Sequence, residues 1–321
     1  MENPRAIIVS GSDSGYFWLL KGLVQSLQAG PFARRLALGV FDLGLTAEER
    51  AWLEAQGATL ATPAWEVDFP GRERAPGFFR GFFARPFLPR YFPGHDIYVW
   101  LDGDTWVQDD SVLPWYLHAA ASGRLAMVPE ADRSYWTSFK PPKLWGQNQK
   151  CFAWGFGLKA GYRLGRNPIL NAGTFALAAD APHWQRWAET HRRMLNRRRA
   201  PWHGDIAKDF AFFLSDQTAL NHVAFGQRQK HTLLPALANW FCGKGTPMWD
   251  ETRGMLIEPN EPYAPLGIVH LAGKGMKERI WTLDTLQGGK VTSRLTWEAV
   301  QDLRAQSSSL PSFPAVAGMT K

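Results

Sequence analysis

The feature that most constrains the fold is a run of five apolar residues, Ile97-Tyr98-Val99-Trp100-Leu101, followed at once by Asp102-Gly103-Asp104. A strand without polar alternation is typical of the centre of a sheet that helices cover on both faces. In open α/β sheets of this kind, ligands bind at the carboxyl ends of the strands. The run therefore predicts an α/β fold whose functional edge begins at Asp102.

The first hundred residues alternate between strand-like and helix-like patterns. Residues 6–10, 36–41 and 58–61 are predicted strands, and apolar residues recur at helical spacing from Leu19 to Leu27. Thr46 and Glu49 form a capping-box pattern, which predicts a helix start there and a helix end near Gly57. This alternation predicts a Rossmann-like, mostly parallel central sheet flanked by helices.

The later sequence is less regular. The predicted strands are 125–128, 170–178 and 267–271, and the predicted helices are 183–198 and 212–223. Residues 130–168 lack periodicity and are rich in Trp and Phe, which predicts a long, loop-like insertion whose aromatic side chains fit either an ordinary core or an acceptor platform. Ser and Pro become frequent towards the end, so we expect a single domain over 1–303 and a frayed C-terminal tail over 304–321.

Composition narrows the class of protein. The chain has 321 residues and a formal net charge of +7, so its surface favours anionic partners. Its basic residues do not gather with aromatic residues into a recognisable module, so we expect no nucleic acid partner. The two cysteines exclude a disulfide framework and a cysteine-based zinc site. No signal peptide or membrane-spanning stretch is visible, which predicts a cytoplasmic protein whose only membrane contact is peripheral, at the anionic inner face.

The acidic pair is the first candidate site. Side chains alternate along a strand, so Asp102 and Asp104 project from the same side of the chain, and Gly103 leaves room for a ligand beside the backbone. Two carboxylates in this position form a hard-oxygen site that suits Mg²⁺ or Mn²⁺. An isolated D-x-D triplet is weak evidence, but two charges directly after five apolar residues need either solvent or a cation.

The segment from Val99 to Val107 resembles the metal-binding strand of the retaining glycosyltransferases of family 8, which include bacterial lipopolysaccharide galactosyltransferases and the glycogenins. The resemblance implies a GT-A fold and a UDP-sugar donor whose diphosphate is held by Mn²⁺ or Mg²⁺. His270 follows an apolar run and is similar to the third metal ligand of the family. The implied metal ligands are therefore Asp102, Asp104 and His270.

Other segments resemble the same family in the same order along the chain. Ser215–Asn221 is similar to its Asp-Gln motif, which makes Asp216 and Gln217 the candidate catalytic residues. The resemblance implies donor contacts from a turn after the first strand, from a basic residue before the metal strand, and from two later segments. These candidate donor-binding residues are Ser10, Asp13, Arg85, Asp102, Gly103, Asn171, Ala172, Gly173, Gly273, Lys274 and Lys277.

The closing His-x-x-Gly-x-x-Lys element departs from the family pattern. After His270 and Gly273, the position of the diphosphate-binding lysine falls on Met276. Lys274 and Lys277 flank that position, and the sequence leaves both open as the residue that meets the diphosphate.

Several interpretations stay open from the residues alone. Asn171 and Asp216 also fit backbone caps, and Asp13 fits an ordinary turn. An inverting GT-A transferase or a sugar nucleotidyltransferase has the same sheet and acidic pair, and sixteen Trp residues also fit a non-catalytic carbohydrate-binding protein. Neither a P-loop nor a GxGxxG motif is present. The resemblance favours transfer of a hexose, with retention, to a glycan, lipid-linked or lipopolysaccharide acceptor.

Overall fold

The computed structural model of the chain describes residues 5–197 and 209–308. Strands and helices alternate through the first part of the chain, and short strands follow in the last part. In chain order the elements are β1 (Ala6–Ser12), α1 (Phe17–Ala29), β2 (Ala37–Asp42), α2 (Ala47–Ala55), β3 (Ala58–Ala61), α3 (Phe79–Ala84), α4 (Leu88–Tyr91), β4 (Ile97–Leu101), β5 (Thr105–Val107), α5 (Leu113–Ala121), β6 (Leu125–Pro129), α6 (Pro141–Phe156), α7 (Leu158–Leu164), β7 (Leu170–Ala178), α8 (His183–Asn196), α9 (Phe210–Phe213), α10 (Ser215–Asn221), β8 (His231–Leu233), β9 (Trp240–Phe241), β10 (Met248–Asp250), β11 (Met255–Ile257), β12 (Ile268–His270), β13 (Trp281–Asp284), β14 (Lys290–Ser293) and α11 (Trp297–Ser308).

A seven-stranded sheet lies at the centre of the molecule, with the strand order β3-β2-β1-β4-β7-β6-β8. Strands β3, β2, β1 and β4 are parallel, β7 is antiparallel to both of its neighbours, and β8 is parallel to β6. The mostly parallel α/β sheet predicted from the sequence is therefore confirmed. The apolar run 97–101 is β4, the middle strand, and all five of its residues are buried.

Two apolar layers cover the sheet, one on each face. Ile8 of β1 belongs to the layer that contains residues of α1 and α5, whereas Ile7 and Val9 belong to the layer that contains residues of α8 and α10. The same alternation holds in β4, where Val99 and Trp100 lie in opposite layers. Full burial of a large apolar side chain stabilises the fold by roughly 1.5–3 kcal/mol. Burial on both faces therefore explains why β4 has no polar alternation.

The start of α2 follows its sequence signal. The Thr46 hydroxyl accepts a hydrogen bond from the Glu49 backbone N–H at 3.2 Å, and the Glu49 carboxylate accepts one from the Thr46 N–H at 2.8 Å. Two backbone N–H groups that have no partner within the helix are thereby satisfied. Gly57, at φ +81°, follows the end of the helix in a conformation that favours glycine. The predicted capping box is confirmed.

Strand β7 determines which residues meet at the functional edge. Because it runs antiparallel to β4 and β6, its first residues lie beside the last residues of both neighbours. Leu101 of β4 is paired with Thr174, and Val128 of β6 is paired with Asn171. The carboxyl ends of β4 and β6 and the amino end of β7 therefore share one edge of the sheet.

A smaller sheet, in the order β5-β12-β9, begins where β4 ends. Strand β5 follows the Asp102-Gly103-Asp104 turn, and β12 is paired antiparallel with it, so that His270 lies opposite Thr105. This pairing carries a histidine from late in the sequence to the acidic pair. The predicted strand 267–271 is thus confirmed as β12 and acquires its place from β5.

The predictions for the irregular sequence were partly wrong. Residues 130–168 do not form a loop, because α6 and α7 occupy most of the insertion and pack against each other. Glycines permit this close approach: a Cβ added to Gly161 would lie 2.8 Å from the Gln149 carbonyl oxygen, and one on Gly165 would lie 2.3 Å from Gln149 Cγ. A seam of glycines produces no apolar periodicity, which is why the sequence pattern missed both helices.

Two boundaries also differ from the predictions. The predicted helix 212–223 is divided into α9 and α10. Residues 304–308 are not frayed, because α11 continues through Ser308 and the Arg304 guanidinium donates a hydrogen bond to the Gly254 carbonyl at 2.7 Å. Residues 309–321, the rest of the predicted tail, lie outside the described residues. Among the helices that the structure describes, none combines the length and the apolar character needed to cross a bilayer.

Candidate active site

The acidic pair lies in the turn that joins β4 to β5. The Asp102 backbone N–H donates to the Gly173 carbonyl of β7 at 2.7 Å, and the Asp102 carbonyl accepts from the Thr105 hydroxyl at 2.8 Å. The Trp100 indole N–H donates to Asp102 Oδ1 at 2.7 Å. Backbone and side chain are therefore both fixed, so this carboxylate is oriented before any ligand binds.

His270 completes a group of three side chains that could hold a metal ion. Its Nε2 lies 3.3 Å from Asp104 Oδ1, and ligand atoms of Asp102, Asp104 and His270 all lie within 4.8 Å of one another. On the other side of the ring, Nδ1 lies 2.9 Å from the Asn239 amide oxygen. That oxygen can only accept, so Nδ1 donates a hydrogen bond to it, and Nε2 is the ring nitrogen that faces the acidic pair.

Gly173 leaves the space between these ligands free. A Cβ at this position would lie 2.5 Å from His270 Cε1 and 2.7 Å from Asp102 Oδ2. Any side chain here would therefore enter the gap between the imidazole and the carboxylate. Two carboxylates and one imidazole around such a gap fit the ligand preferences of Mn²⁺ and of other small divalent cations.

Two basic side chains neutralise the acidic pair, one at each carboxylate. The Arg85 guanidinium contacts Asp102 with one nitrogen and donates to Asp216 with another at 2.8 Å. Its carbon Cζ lies 4.7 Å from the ring centres of both Phe82 and Trp100, so the planar group is held between two aromatic faces. Arg85 therefore links the end of β4 to the helix that contains the predicted Asp-Gln motif.

The second basic side chain is Lys277, whose ammonium donates to Asp104 Oδ2 at 2.7 Å. Burial alone would raise the pKa of Asp104, but the neighbouring His270 and Lys277 outweigh it and hold that pKa well below its usual range. Lys274, the other candidate, is exposed in the turn after β12. The geometry favours Lys277 as the lysine that belongs to this site.

A network of buried amides lies on the other side of the metal ligands. The Gln217 side-chain oxygen accepts from the Ala172 backbone N–H at 2.9 Å and from the Asn171 amide at 3.2 Å. The Asn171 amide also donates to Glu130 at 2.9 Å, and Asn171 Oδ1 accepts from the Asn239 amide at 3.3 Å. The network therefore joins β6, β7 and α10 to the residue that orients His270.

The two further carboxyl groups here have opposite pKa shifts. Burial would raise the pKa of Glu130, but the ammonium of Lys244, in direct contact, lowers it below its usual value. Burial raises the pKa of Asp216, although Arg85 partly opposes the effect. Opposed shifts in neighbouring carboxyl groups are frequent at functional sites.

The remaining predicted residues lie near this group with different exposures. Gly103 rests on β1, since a Cβ there would lie 3.0 Å from the Gly11 carbonyl oxygen. Ser10 is fully buried beneath it, and its hydroxyl has no hydrogen-bond partner among the described residues. Asp13 caps the short turn after β1 by accepting from the Tyr16 N–H at 3.2 Å. Gly273 adopts φ +111° in the turn before Lys274.

The structure thus brings together Arg85, Asp102, Asp104, Asn171, Gly173, Asp216, Gln217, His270 and Lys277, all predicted from the sequence. The sequence reasoning missed Trp100, Glu130, Asn239 and Lys244. A signal was available at Glu130, which lies two residues after the predicted strand 125–128. Asn239 and Lys244 lie in irregular segments without a motif.

Comparison with known proteins supports the architecture. Neither a protein-family model nor a curated protein sequence matches the chain. It is similar to a solved structure of the galactosyltransferase LgtC in complex with donor and acceptor sugar analogues, with a TM-score of 0.55 and 16% sequence identity over 96% of this chain and 97% of that one. The chain has the GT-A fold. The resemblance to the GT-A glycosyltransferases of family 8 that the sequence indicated is thus confirmed in the fold.

Two other solved structures have the same GT-A architecture. An active-site mutant of LgtC has a TM-score of 0.52 and 15% identity, over 96% of this chain and 97% of that one. The bifunctional glycosyltransferase WbbM, in its apo form, has a TM-score of 0.52 and 14% identity, over 85% of this chain and 46% of that one. In this GT-A sheet the acidic pair lies at the carboxyl end of β4, where open α/β sheets bind their ligands.

Proposed function

We propose that this chain is a metal-dependent glycosyltransferase that moves a hexose from UDP-sugar to an acceptor hydroxyl with retention of anomeric configuration. The observation that carries the proposal is the convergence of Asp102, Asp104 and His270 at the functional edge of a GT-A sheet. These residues come from the turn after β4 and from β12, which are far apart in the sequence, so the arrangement exists only in the folded chain. The donor and acceptor sugar analogues bound to LgtC support sugars as the substrate class.

Asp102, Asp104 and His270 would hold Mn²⁺ or Mg²⁺, which acts as a Lewis acid and stabilises the negative charge that develops on the departing diphosphate. Lys277 is the candidate diphosphate contact, because its ammonium already lies against the acidic pair. Arg85 keeps Asp102 and Asp216 in fixed positions by contacting both carboxylates. The site thus combines oxygen ligands with cations, as transfer from a diphosphate requires.

The amide network is the candidate binding site for the donor sugar. Asn171 and Gln217 are held by their neighbours in single orientations, and Asp216 lies beside them on α10. In front-face transfer the acceptor oxygen forms a bond to the anomeric carbon while the bond to the diphosphate oxygen breaks on the same face. The acceptor proton passes to the departing diphosphate oxygen, so the step needs no covalent enzyme intermediate. Asp216 and Gln217 would line this reaction.

The proposed acceptor is a glycan, a lipid-linked sugar or a lipopolysaccharide, and the proposed place of action is the cytoplasm or the inner membrane face. The net charge of +7 supports an anionic partner surface. Polysaccharide biosynthesis is the process that such a reaction would serve.

Thermal unfolding with and without ligands tests the proposal. A ligand present at a hundred times its dissociation constant stabilises the folded state by about 2.7 kcal/mol. We expect UDP to raise the unfolding temperature only when Mn²⁺ is present, and we expect the double variant Asp102→Ala, Asp104→Ala to lose the effect. The matched control, Asp284→Ala with Asp302→Ala, removes two exposed carboxylates away from the site and should keep it. A metal-dependent UDP shift that persists in the first variant would overturn the proposal.

The products test the finer parts of the proposal. NMR of the transferred sugar should show the same anomeric configuration as the donor, and UDP rather than pyrophosphate should be released. An inverted anomer would point to an inverting GT-A transferase, and pyrophosphate would point to a nucleotidyltransferase. Glycan binding without metal and without UDP-sugar turnover would indicate a non-catalytic carbohydrate-binding protein. Mass detection of a glycosyl-enzyme adduct would exclude front-face transfer.

A further inference from the structure

One segment of the chain has basic residues but no acidic ones. Residues 133–179 contain seven Lys and Arg residues and no Asp or Glu. Of the 36 basic residues in the chain, 29 therefore lie elsewhere, together with all 29 acidic ones. The formal charge of +7 thus equals the charge of this segment alone, and the segment consists mainly of the α6–α7 insertion and β7.

The outer side of α7 presents this charge beside apolar groups. Leu158 and Tyr162, one turn apart, are 85% and 69% exposed. Lys159 and Arg163 are exposed on the same short helix, Arg166 is exposed directly after its end, and Arg166 Cζ lies 5.0 Å from the centre of the Tyr162 ring. Among the described residues, none of these three basic side chains has an acidic partner. We name these five residues the α7 face.

Close packing against α6 fixes the position of α7. Gly161 and Gly165 face α6 so closely that a Cβ on either would clash with Gln149. This close packing fixes α7 against α6, and Leu158 and Tyr162 remain exposed in the packed state. The exposed Leu158 and Tyr162 are therefore a feature of the folded state and not of a loose segment.

The chemistry of the α7 face matches an anionic bilayer surface. Apolar and aromatic side chains enter the boundary between headgroups and acyl chains, while flanking Lys and Arg attract anionic headgroups. Phe139 and Trp145 of the same insertion are also exposed, at 75% and 43%. We propose that the α7 face docks the protein onto a bilayer that contains anionic lipids.

This docking would bring the candidate active site close to the bilayer. Gln147, Asn148 and Cys151 of α6 face Gln217 and Thr218 of α10 across a small cavity. The α6–α7 insertion is therefore the layer between the α7 face and the amide network. The proposal itself depends on the surface alone and stands whether or not the chain is a glycosyltransferase.

Vesicle sedimentation of the full chain tests the proposal. We expect binding to vesicles of equal parts phosphatidylglycerol and phosphatidylcholine, weaker binding at high salt, and no binding to phosphatidylcholine alone. Lys159→Glu with Arg163→Glu should reduce the binding constant at least about tenfold, since each basic residue near the surface contributes to the attraction. Leu158→Ser with Tyr162→Ser should reduce it as well, with little change in salt dependence.

Two matched controls keep the test specific. Arg34→Glu with Arg35→Glu makes the same change in charge next to Ala33, in the apolar layer on the opposite face of the sheet from α6. Ile280→Ser removes an apolar side chain that is 65% exposed elsewhere. Both should bind vesicles like the unchanged protein, and circular dichroism should show that all variants are folded. Equal loss in the Arg34 and Arg35 control, unchanged binding of the α7 variants, or binding to heparin but not to vesicles would overturn the proposal.

Discussion

At the scale of single residues, Gly173 leaves open the gap between the three candidate metal ligands. A methyl group there would clash with His270 and Asp102, and also with Asn171 Oδ1 at 2.7 Å. We expect Gly173→Ala to weaken Mn²⁺ binding at least about tenfold and to cost about 1–3 kcal/mol of stability. Calorimetric titration and urea unfolding measure the two effects. Gly77→Ala is the control, because its Cβ would meet only an arginine nitrogen at 3.9 Å. Unchanged metal affinity in Gly173→Ala would contradict this account of the site.

Asn239 acts on the metal site through His270. Without its amide oxygen, Nδ1 of the ring loses the acceptor that holds its proton and its orientation. We expect Asn239→Ala to reduce Mn²⁺ affinity about 10–100-fold while the chain remains folded. Metal titration followed by near-ultraviolet circular dichroism checks both statements. The exposed Asn196→Ala serves as control, and equal affinities in the two variants would show that Asn239 has no orienting role.

The residues predicted from the sequence were those that follow a recognisable strand or motif. Asp102 and Asp104 follow the apolar β4, and His270 ends the apolar β12, so local pattern and family resemblance both indicated them. Asn239 and Lys244 could not be found in this way, because they reach the site only through the folding of irregular segments. Lys277 could be separated from Lys274 only by its contact with Asp104.

At the scale of elements, the strands of the sheet were predicted from the sequence, whereas the helices of the insertion were not. Strands β1 and β4 were predicted from apolar runs bounded by turn residues, because a strand covered on both faces leaves a simple pattern. Helices α6 and α7 left no such pattern, since glycines form their seam and aromatic residues occur on their exposed sides. Contact between two helices is a tertiary property, and no single segment encodes it in its own periodicity.

This seam yields a prediction of its own. In Gly161→Ala the added methyl would lie 2.8 Å from the Gln149 carbonyl oxygen and 2.9 Å from Ala153 Cβ. We expect a loss of about 1–3 kcal/mol and faster amide hydrogen exchange throughout α7. Gly146→Ala in α6 is the control, because nothing lies within 4 Å of its added Cβ. If both variants exchanged equally, α7 would not depend on close packing against α6.

At the scale of the whole molecule, buried carboxylates make stability depend on pH. Despite burial, the pKa values of Glu130, Asp42 and Asp250 are lowered from unfolded values of 4.5 for Glu and 3.8 for Asp. Groups of this kind contribute stability above their unfolded pKa and lose it as the pH falls through their folded pKa. Asp216 has a raised pKa and acts in the opposite direction. We expect the free energy of unfolding of the metal-free protein, measured with urea, to fall as the pH decreases below 4.5.

The variant Lys244→Met should make ionised Glu130 destabilise the fold. The side chains of Lys244 and Glu130 are only 19% and 10% exposed, so the variant leaves a nearly buried carboxylate without its cation. We expect a loss of about 3–5 kcal/mol at pH 7, and a smaller loss at pH 4, where Glu130 can take up a proton. Lys290→Met breaks a pair with Asp284 whose side chains are 70% and 68% exposed and should change stability little at either pH. A loss independent of pH would show that the lysine contributes by packing alone.

The way in which β6 and β7 enclose the insertion has an evolutionary consequence. The Glu130 N–H donates to the Ile169 carbonyl at 2.7 Å, so the chain departs from the sheet and returns to it at adjacent positions. The two strands thus close the base of the insertion, so a change of length between α6 and α7 need not shift the register of either strand. New surfaces can therefore arise beside the candidate metal ligands while those residues stay unchanged.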